Sequence, residues 1–506
     1  MKNRKVAFEK LLDFINFSNK DFLIELGEET GIGSSSLLVR KCGKIILVDR
    51  GLAFEGSGQT KITNFPAGGN LEGIKIDLMI FTHIHLDHIG LIVPTVLAHP
   101  ESRVIFSEKT FEELKKVILP DSLIIQRKES RKAYFDGLPA LPVKFNKEDV
   151  DLFLNQAEGD CFDIIDIDEK EDDIWISYDD WPGWNFGFTF SGHTKGAFIS
   201  LVKCPDGDGF VFSGDVSGHD QETTRGVKAL SEVFLEMEKF RDCKRIILVT
   251  EATNGNRDRE ESQEKMDARL KAILNETERQ GGNALFPVFM VNRGPNIVAK
   301  LVRLGFKVFV AGGVRKTLAI EVGTEIVEKW QAEGTVMFIE NGPNYQTMLR
   351  MAACGEFGFR PVVTSSATLD QGAGVDFAIE MLPNPENVLI STGHRFDGSA
   401  MKEFFEIKNK PLERGTTITL NKLDKFSRPV KNIVNVRCQG EHFDYSAHSY
   451  KSELVEFAAN INPDFIFVKH CMEEGFEGFK SAFLKNSKNK KRPPIIRAHH
   501  MYLFEI

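Results

Sequence analysis

The stretch THIHLDHIG places His83, His85, Asp87 and His88 directly after the apolar run LMIF at 78–81. A short apolar run bounded by polar residues reads as a buried strand, and the turn beyond its end can aim several side chains at one point. Imidazole and carboxylate together are the donor types of zinc and other borderline divalent ions. The chain has 12 histidines in 506 residues, so three of them in one turn is a poor accident of composition. A surface histidine cluster is the alternative reading, and the strand that leads into the turn argues against it. A fold that serves this turn must bring further polar strand ends to the same edge.

The first 250 residues offer such strand ends in KIILVD (44–49), FVFSGD (210–215) and RIILVT (245–250). FEELKKVI (111–118) and VKALSEVFLEMEKF (227–240) have helical spacing, while 120–183 reads as a polar, acidic, irregular insertion near the site. From about 255 the pattern becomes regular βα alternation. A charged helix (257–280) precedes the strand ALFPVFM (284–290), a helix (295–304), the strand FKVFVA (306–311) and a long helix (316–333). The strands PVVTS (361–365) and NVLIST (387–392) follow. Such alternation predicts a second α/β unit on a parallel sheet. After about 420 the first style returns, with KNIVNVRC (431–438), a helix at 450–459 and DFIFVKH (464–470). The division expected is therefore 1–244 and 421–506 as one split unit, with 245–420 inserted into it.

At 506 residues two domains of ordinary size are expected. Hydrophobic residues at 42% and charged residues at 27% exclude a disordered or fibrous chain. No apolar run approaches the ~20 residues of a membrane span, and MKNRKVAFEKLLDFINF lacks the features of a signal peptide. Cys42, Cys161, Cys204, Cys243, Cys354, Cys438 and Cys471 are scattered with no C-x-x-C pair, which reads as reduced thiols in a cytoplasmic protein. The net charge of −9 gives no bulk support to nucleic-acid binding. A nucleic-acid partner would need a local basic surface, and RKESRK (127–132) and KNSKNKKR (485–492) are the candidates, each otherwise an ordinary solvated face.

Further along, SGHTKG supplies His193 and FSGDVSG supplies Asp215. Alone, His193 reads as a packing residue and Asp215 as a turn former. Their order after H-x-H-x-D-H changes that, because a carboxylate can bridge two metal ions. The series H-x-H-x-D-H, G-H and G-D, each at a strand end, resembles the metallo-β-lactamase superfamily. The resemblance implies an αββα sandwich with two zinc ions. One would be held by His83, His85, His193 and Asp215, the other by Asp87, His88 and Asp215. Asp49 in LVDRG resembles the superfamily's first-motif aspartate, which supports the ligands.

Within that superfamily, five stretches resemble the β-CASP nucleases, whose inserted α/β domain fits the expected central unit. TEATNG (250–255) places Glu251 like their motif A, and GGNALFPVF…NRG (281–294) resembles the next strand, with Arg293 after it. GHRFDGSA (393–400), with Gly398 and Ser399, resembles their Gly-Ser/Thr loop. FDYSAHSY (443–450) resembles motif B through His448, and FVKHCMEEG (467–475) resembles motif C through His470. The order is that of the polyadenylation cleavage-factor nucleases and their prokaryotic relatives. SSATLDQGAG (365–374), with Ser366, corresponds loosely to a phosphate-contacting loop. Cys471 stands where motif C usually has glycine, and Gly294, Pro295 and Asn296 follow Arg293 in place of a Gln-Glu pair.

The resemblance implies a metal-dependent phosphodiester hydrolase. Histidine in motif C is the mark of its RNA-cleaving members, so RNA is the expected substrate, cut internally to leave 5′ phosphates. Two metals can stabilise both the attacking and the leaving oxygen. His448 is the expected general acid, oriented by Glu251, and His470 the expected last ligand of the second zinc. Arg293, Ser366, Gly398 and Ser399 are the expected substrate contacts. A DNA nuclease of the same architecture and a small-molecule metallo-hydrolase are the alternatives, and a homodimer is an assembly left open.

Overall fold

The structure is a computed structural model that describes residues 3–27, 33–52, 54–55, 61–62, 69, 71–135, 137, 143–167, 174–227, 242–408, 416–424, 428–486 and 492–506. Short apolar runs, buried on both faces, build two sheets that face each other. The first has eight strands, in the order Asn3–Lys5, Tyr502–Glu505, Phe22–Glu25, Leu37–Lys41, Lys44–Val48, Leu78–Ile80, Arg103–Ser107 and Phe162–Ile165. The second has seven, in the order Ile174–Ile176, Asn185–Phe190, Phe198–Lys203, Asp208–Phe212, Arg245–Glu251, Phe465–Lys469 and Ile495–Arg497.

Between the sheets lie Leu23, Val39, Ile46, Val48, Leu78 and Ile80 from one side and Phe186, Phe188, Phe210, Phe212, Phe465 and Phe467 from the other. The i, i+2 spacing within each strand follows from the alternation of side chains across a sheet. This core absorbs many of the chain's phenylalanines, and each full burial contributes roughly 1.5–3 kcal/mol. On the outer face of the first sheet, Ile24, Met79 and Phe106 pack with Ile92, Val93 and Phe153 of the helices Ile92–Ala98 and Lys147–Gln156. On the outer face of the second, Leu248 and Ile466 pack with Leu454, Phe457 and Phe479 of the helices Lys451–Ile461 and Glu473–Lys485. The layers are therefore helix, sheet, sheet, helix.

A third sheet of six strands runs in the order Val336–Ile339, Val308–Ala311, Val362–Thr364, Ala284–Pro287, Val388–Ser391 and Gln439–His442. Every pairing in it is parallel. Both faces are covered: Phe286, Val310 and Ile390 face one core while Leu285, Phe309 and Leu389 face the other. This sheet is interposed in sequence between Arg245–Glu251 and Phe465–Lys469, which are parallel neighbours in the seven-stranded sheet. The chain thus leaves the sandwich, builds a doubly wound unit and returns beside the strand it left.

Several sequence expectations change. Gln439–His442 still pairs with Val388–Ser391, and 417–423 pairs with 429–435 in a two-stranded ribbon, so the chain has not rejoined the sandwich at 421. Gly440 permits the late pairing, since a Cβ there would sit 2.7 Å from the Phe404 ring. The stretch after 119 is not irregular: a helix runs Leu119–Phe135, entered through a wide turn at Leu114–Ile118, and a capped helix spans Lys147–Gln156. The long helix expected at 316–333 is two, Val314–Val322 and Thr324–Ala332, broken at Gly323 with φ 111°. The helix expected at 227–240 lies almost wholly outside the described residues. Among the described residues, no helix is long and apolar enough to cross a membrane.

Candidate functional site

The strands of the sandwich deliver the expected residues to one edge. Asp49 follows Lys44–Val48, His83 follows Leu78–Ile80, His193 follows Asn185–Phe190, Asp215 follows Asp208–Phe212, and His470 follows Phe465–Lys469, while Glu251 ends Arg245–Glu251. Tight turns at these ends require glycine. Gly192 and Gly214, just before His193 and Asp215, have φ 75° and 54°. A Cβ on Gly192 would lie 2.4 Å from the Ser217 carbonyl oxygen. Leu86–Ile89 is a single helical turn that carries Asp87 and His88 to the same edge.

The donor atoms converge in two groups that share one carboxylate. His83, His85, His193 and Asp215 have ligand atoms within 4.8 Å of one another, and so do Asp87, His88 and His470. Nε2 of His193 lies 3.0 Å and Nε2 of His83 lies 3.2 Å from Nδ1 of His85. Asp215 Oδ2 is 3.6 Å from Nε2 of both His83 and His193, and 3.3 Å from Nε2 of His88. Its Oδ1 is 3.6 Å from His470 Nδ1, and His470 Nε2 is 3.1 Å from Asp87 Oδ2. Asp215 therefore touches both groups.

The outward nitrogens are fixed by partners. His88 Nδ1 lies 2.8 Å from Asp49 Oδ2, His193 Nδ1 lies 3.0 Å from the Ala447 carbonyl oxygen, and His83 Nδ1 lies 3.0 Å from the Thr82 hydroxyl. An imidazole held in this way at Nδ1 presents the Nε2 lone pair inward, the arrangement of metal-ligating histidines. The donor set fits metal ions on a further observation. His88 Nε2 and Asp215 Oδ1 are buried with no hydrogen-bond partner, a costly state unless something electrophilic sits between them. Burial, with crowding by neighbouring imidazoles, pushes His83 and His193 well below the usual range, and His85 to about 4. These rings are therefore neutral, as ligands must be. A separate cluster of Asp21, Cys42 and Asp206 already encloses the Lys41 ammonium, 3.0 Å from Asp21 and 2.7 Å from Asp206.

His448 approaches from the other side. Its Nδ1 is 3.0 Å from both oxygens of Glu251 and 3.9 Å from Asp215 Oδ2. Burial lowers its pKa, but Glu251 and then Asp215 outweigh that and raise it to about 9. Glu251 is itself fixed, accepting from the backbone N–H of Val216 at 3.0 Å and of Thr253 at 3.2 Å. The result is a protonated imidazole poised over the shared carboxylate.

Residues 30–232 match the metallo-beta-lactamase superfamily, and residues 433–493 match the Zn-dependent metallo-hydrolase RNA specificity domain. Residues 30–232 thus form a metallo-β-lactamase domain. The relatives are matched over most of the chain. Endoribonuclease ysh1 of Schizosaccharomyces pombe is 23% identical over 495 residues, covering 95% of this chain and 57% of that protein. Probable RNase MJ4 of Methanocaldococcus jannaschii is 23% identical over 418 residues, covering 79% and 82%. Transcription termination factor FttA of Methanothermobacter thermautotrophicus is 22% identical over 461 residues, covering 87% and 65%. A protein of unknown function from Enterococcus faecalis V583, solved by crystallography, shares the fold. The TM-score is 0.51 at 14% identity, over 96% of this chain and 100% of that one. The chain spans a little over half the length of the ysh1 relatives, 57% of the S. pombe protein.

The substrate contacts expected of a β-CASP chain are only partly gathered. Arg293 lines a small pocket with Phe289, Ala367, Thr392 and His394, at the C-terminal ends of the six-stranded sheet. Ser366 is next to that pocket in sequence, its hydroxyl 3.1 Å from that of Thr368. Ser399 is not free for a ligand. Its hydroxyl donates to the Phe396 carbonyl oxygen at 2.7 Å and accepts from Lys402 N–H at 3.2 Å, so it caps the helix Ala400–Lys408. Gly398, at φ 72°, makes the turn into that cap.

Sequence reasoning named Asp49 as a support of this site but missed the others. Thr82 donates to Asp49 Oδ1 from its backbone N–H at 2.8 Å and lies against His83. The Thr253 hydroxyl is 3.0 Å from His470 Nδ1. His219 sits 3.0 Å from Glu453 Oε2 and 2.8 Å from the Ser446 carbonyl oxygen, and Asn254 donates to Ser446 Oγ at 3.0 Å. These two side chains shape the loop that carries His448. The only sequence signal for Thr82 and Thr253 was their place beside a strand end.

Proposed function

We propose that the chain is a zinc-dependent ribonuclease that holds two zinc ions and cuts RNA internally, leaving 5′ phosphates. The observation that carries this reading is the convergence of two donor groups on Asp215, with the His448–Glu251 pair above it. His83, His85, His193 and Asp215 would hold one ion; Asp87, His88, Asp215 and His470 would hold the other. When bound, the two ions supply charge stabilisation for the attacking and leaving oxygens of a phosphodiester, and an acidified water.

The chain's own residues supply the rest. Asp49 and Thr82 hold the histidine rings in the tautomer that faces inward. His448 delivers a proton to the departing 3′ oxygen, and Glu251 keeps that ring oriented and charged. RNA as substrate is supported by His470 in motif C and by the match of residues 433–493 to an RNA specificity domain. The printed names of ysh1 and MJ4 also support it. Every donor comes from one chain, so the chemistry does not require a homodimer, and scattered cysteines fit a reducing cytoplasm.

The test is incubation of zinc-loaded protein with matched single strands of RNA and DNA. The expected result is internal cleavage of RNA with 5′-phosphorylated products and little cleavage of DNA. Cleavage of DNA alone, or products with 5′ hydroxyls, would overturn the reading.

A further inference from the structure

We propose that the outward face of the helix Leu119–Phe135 is a track for single-stranded RNA outside the catalytic cleft, an inference that rests on the ribonuclease reading. On this helix Ile124, Arg127, Lys128, Arg131, Tyr134 and Phe135 are all exposed. At 100° per residue they fall within an arc of about 120°, on the face opposite the buried Ala133. Ile124, Tyr134 and Phe135 expose 49%, 72% and 48% of their surface, high for side chains of this size. The rings of Tyr134 and Phe135 meet edge to face at 5.7 Å. Arg127, Lys128 and Arg131 have no ion-pair partner among the described residues.

The chain as a whole carries a net charge of −9, so phosphate binding needs a local basic face such as this one. Cations interleaved with aromatic rings on one face suit a single strand, with its backbone along the charges and its bases stacked on rings. An amphipathic membrane-surface helix keeps its apolar and basic faces apart, and here they share one arc. From Ile124 to Phe135 the face runs roughly 16 Å at 1.5 Å per residue, room for a short run of nucleotides.

The helix is also tied to the site. Near its start Asp121 pairs with Lys316 at 2.5 Å, on the helix Val314–Val322. On that same helix, Glu321 accepts from the Asn292 N–H at 2.7 Å, and Asn292 Nδ2 donates to the His193 carbonyl oxygen at 2.6 Å. The track therefore begins beside the seam between the sandwich and the inserted unit.

The experiment compares the zinc-loaded full chain with the triple variant Arg127→Gln, Lys128→Gln, Arg131→Gln. Readouts are KM and kcat on a single-stranded RNA longer than the cleft, and turnover of bis(p-nitrophenyl) phosphate. The variant should raise KM for RNA at least tenfold at low salt, with kcat and small-diester turnover unchanged. Each phosphate contact adds ~0.7 to the salt slope, so the wild-type KM should rise about 20-fold more than the variant's between about 50 and about 200 mM salt. The charge-preserving pair Arg127→Lys, Arg131→Lys should keep the wild-type KM, and if the triple variant unfolds, each single glutamine should carry its share. If RNA is cleaved with the same KM and salt slope by all variants, the track is wrong, and binding of this face to anionic phosphatidylserine vesicles instead would overturn it in favour of a membrane. Failure of the wild type to cleave any RNA would overturn the ribonuclease reading itself.

Discussion

His448 Nδ1 lies 3.0 Å from each carboxylate oxygen of Glu251, a contact between residues 197 apart in sequence. It exists because the chain returns to the sandwich after building the inserted unit. If His448 protonates the departing 3′ oxygen, His448→Ala lowers turnover by about 10²–10⁴-fold, the usual worth of a positioned acid. Zinc content stays the same. A substrate with sulfur at the scissile 3′ position needs no protonation and should largely rescue the variant. Loss of zinc, or full-rate cleavage of ordinary RNA, would place the acid elsewhere.

Asp87 faces His470 and belongs only to the second donor group. Asp87→Ala should abolish RNA cleavage and release about one zinc per chain while leaving far-ultraviolet circular dichroism unchanged. Near-normal turnover by this variant would contradict a two-metal site.

Asp49 touches no proposed substrate position, yet it is fully buried against His88 and Thr82. Asp49→Asn should weaken zinc affinity by about 10–100-fold, the usual effect of removing a ligand's outer partner. Competition with a chelator measures it. An unchanged affinity would show that His88 is oriented by other means.

A buried acid pair links the two units at the same seam. Glu113, on the helix Glu108–Glu113, is buried close to the buried Glu321. Burial raises both, Glu321 to about 8. The folded state keeps a proton that the unfolded state releases near 4.5, so this pair's contribution to stability falls as pH rises from about 4.5 through about 8. Glu321→Gln should lessen that fall, since burial alone still raises Glu113. Between pH 5 and 9 the Tm of the wild type should drop by a few degrees more than that of the variant; parallel curves would refute the linkage.

How much was legible depends on distance along the chain. His83, His85, Asp87 and His88 announced themselves because one strand and one turn gather them. Asp49, His193 and Asp215 were readable as polar residues at the ends of apolar strands. His448 and His470 carried no local signal of their role and were found through the resemblance of their surroundings, since only the tertiary return brings them to Asp215. The helix Leu119–Phe135 was missed because its exposed face mixes charge with apolar residues, which erases the helical period. Glu113 in FEELKK looked like an ordinary surface glutamate, because nothing in its neighbours reveals Glu321 across the seam. The ribbon at 417–435 was read as a return to the first sheet because alternation gives a strand without naming its partner.

The central claim is that metal ions gathered on Asp215 carry the cleavage of RNA, and the most direct measurement is a zinc titration of metal-depleted protein during a ribonuclease assay. The depleted chain should cut nothing, and activity should rise with added zinc and level off at about two equivalents, with Asp87→Ala inactive throughout. Full cleavage without metal, or a plateau at about one equivalent, would contradict the account.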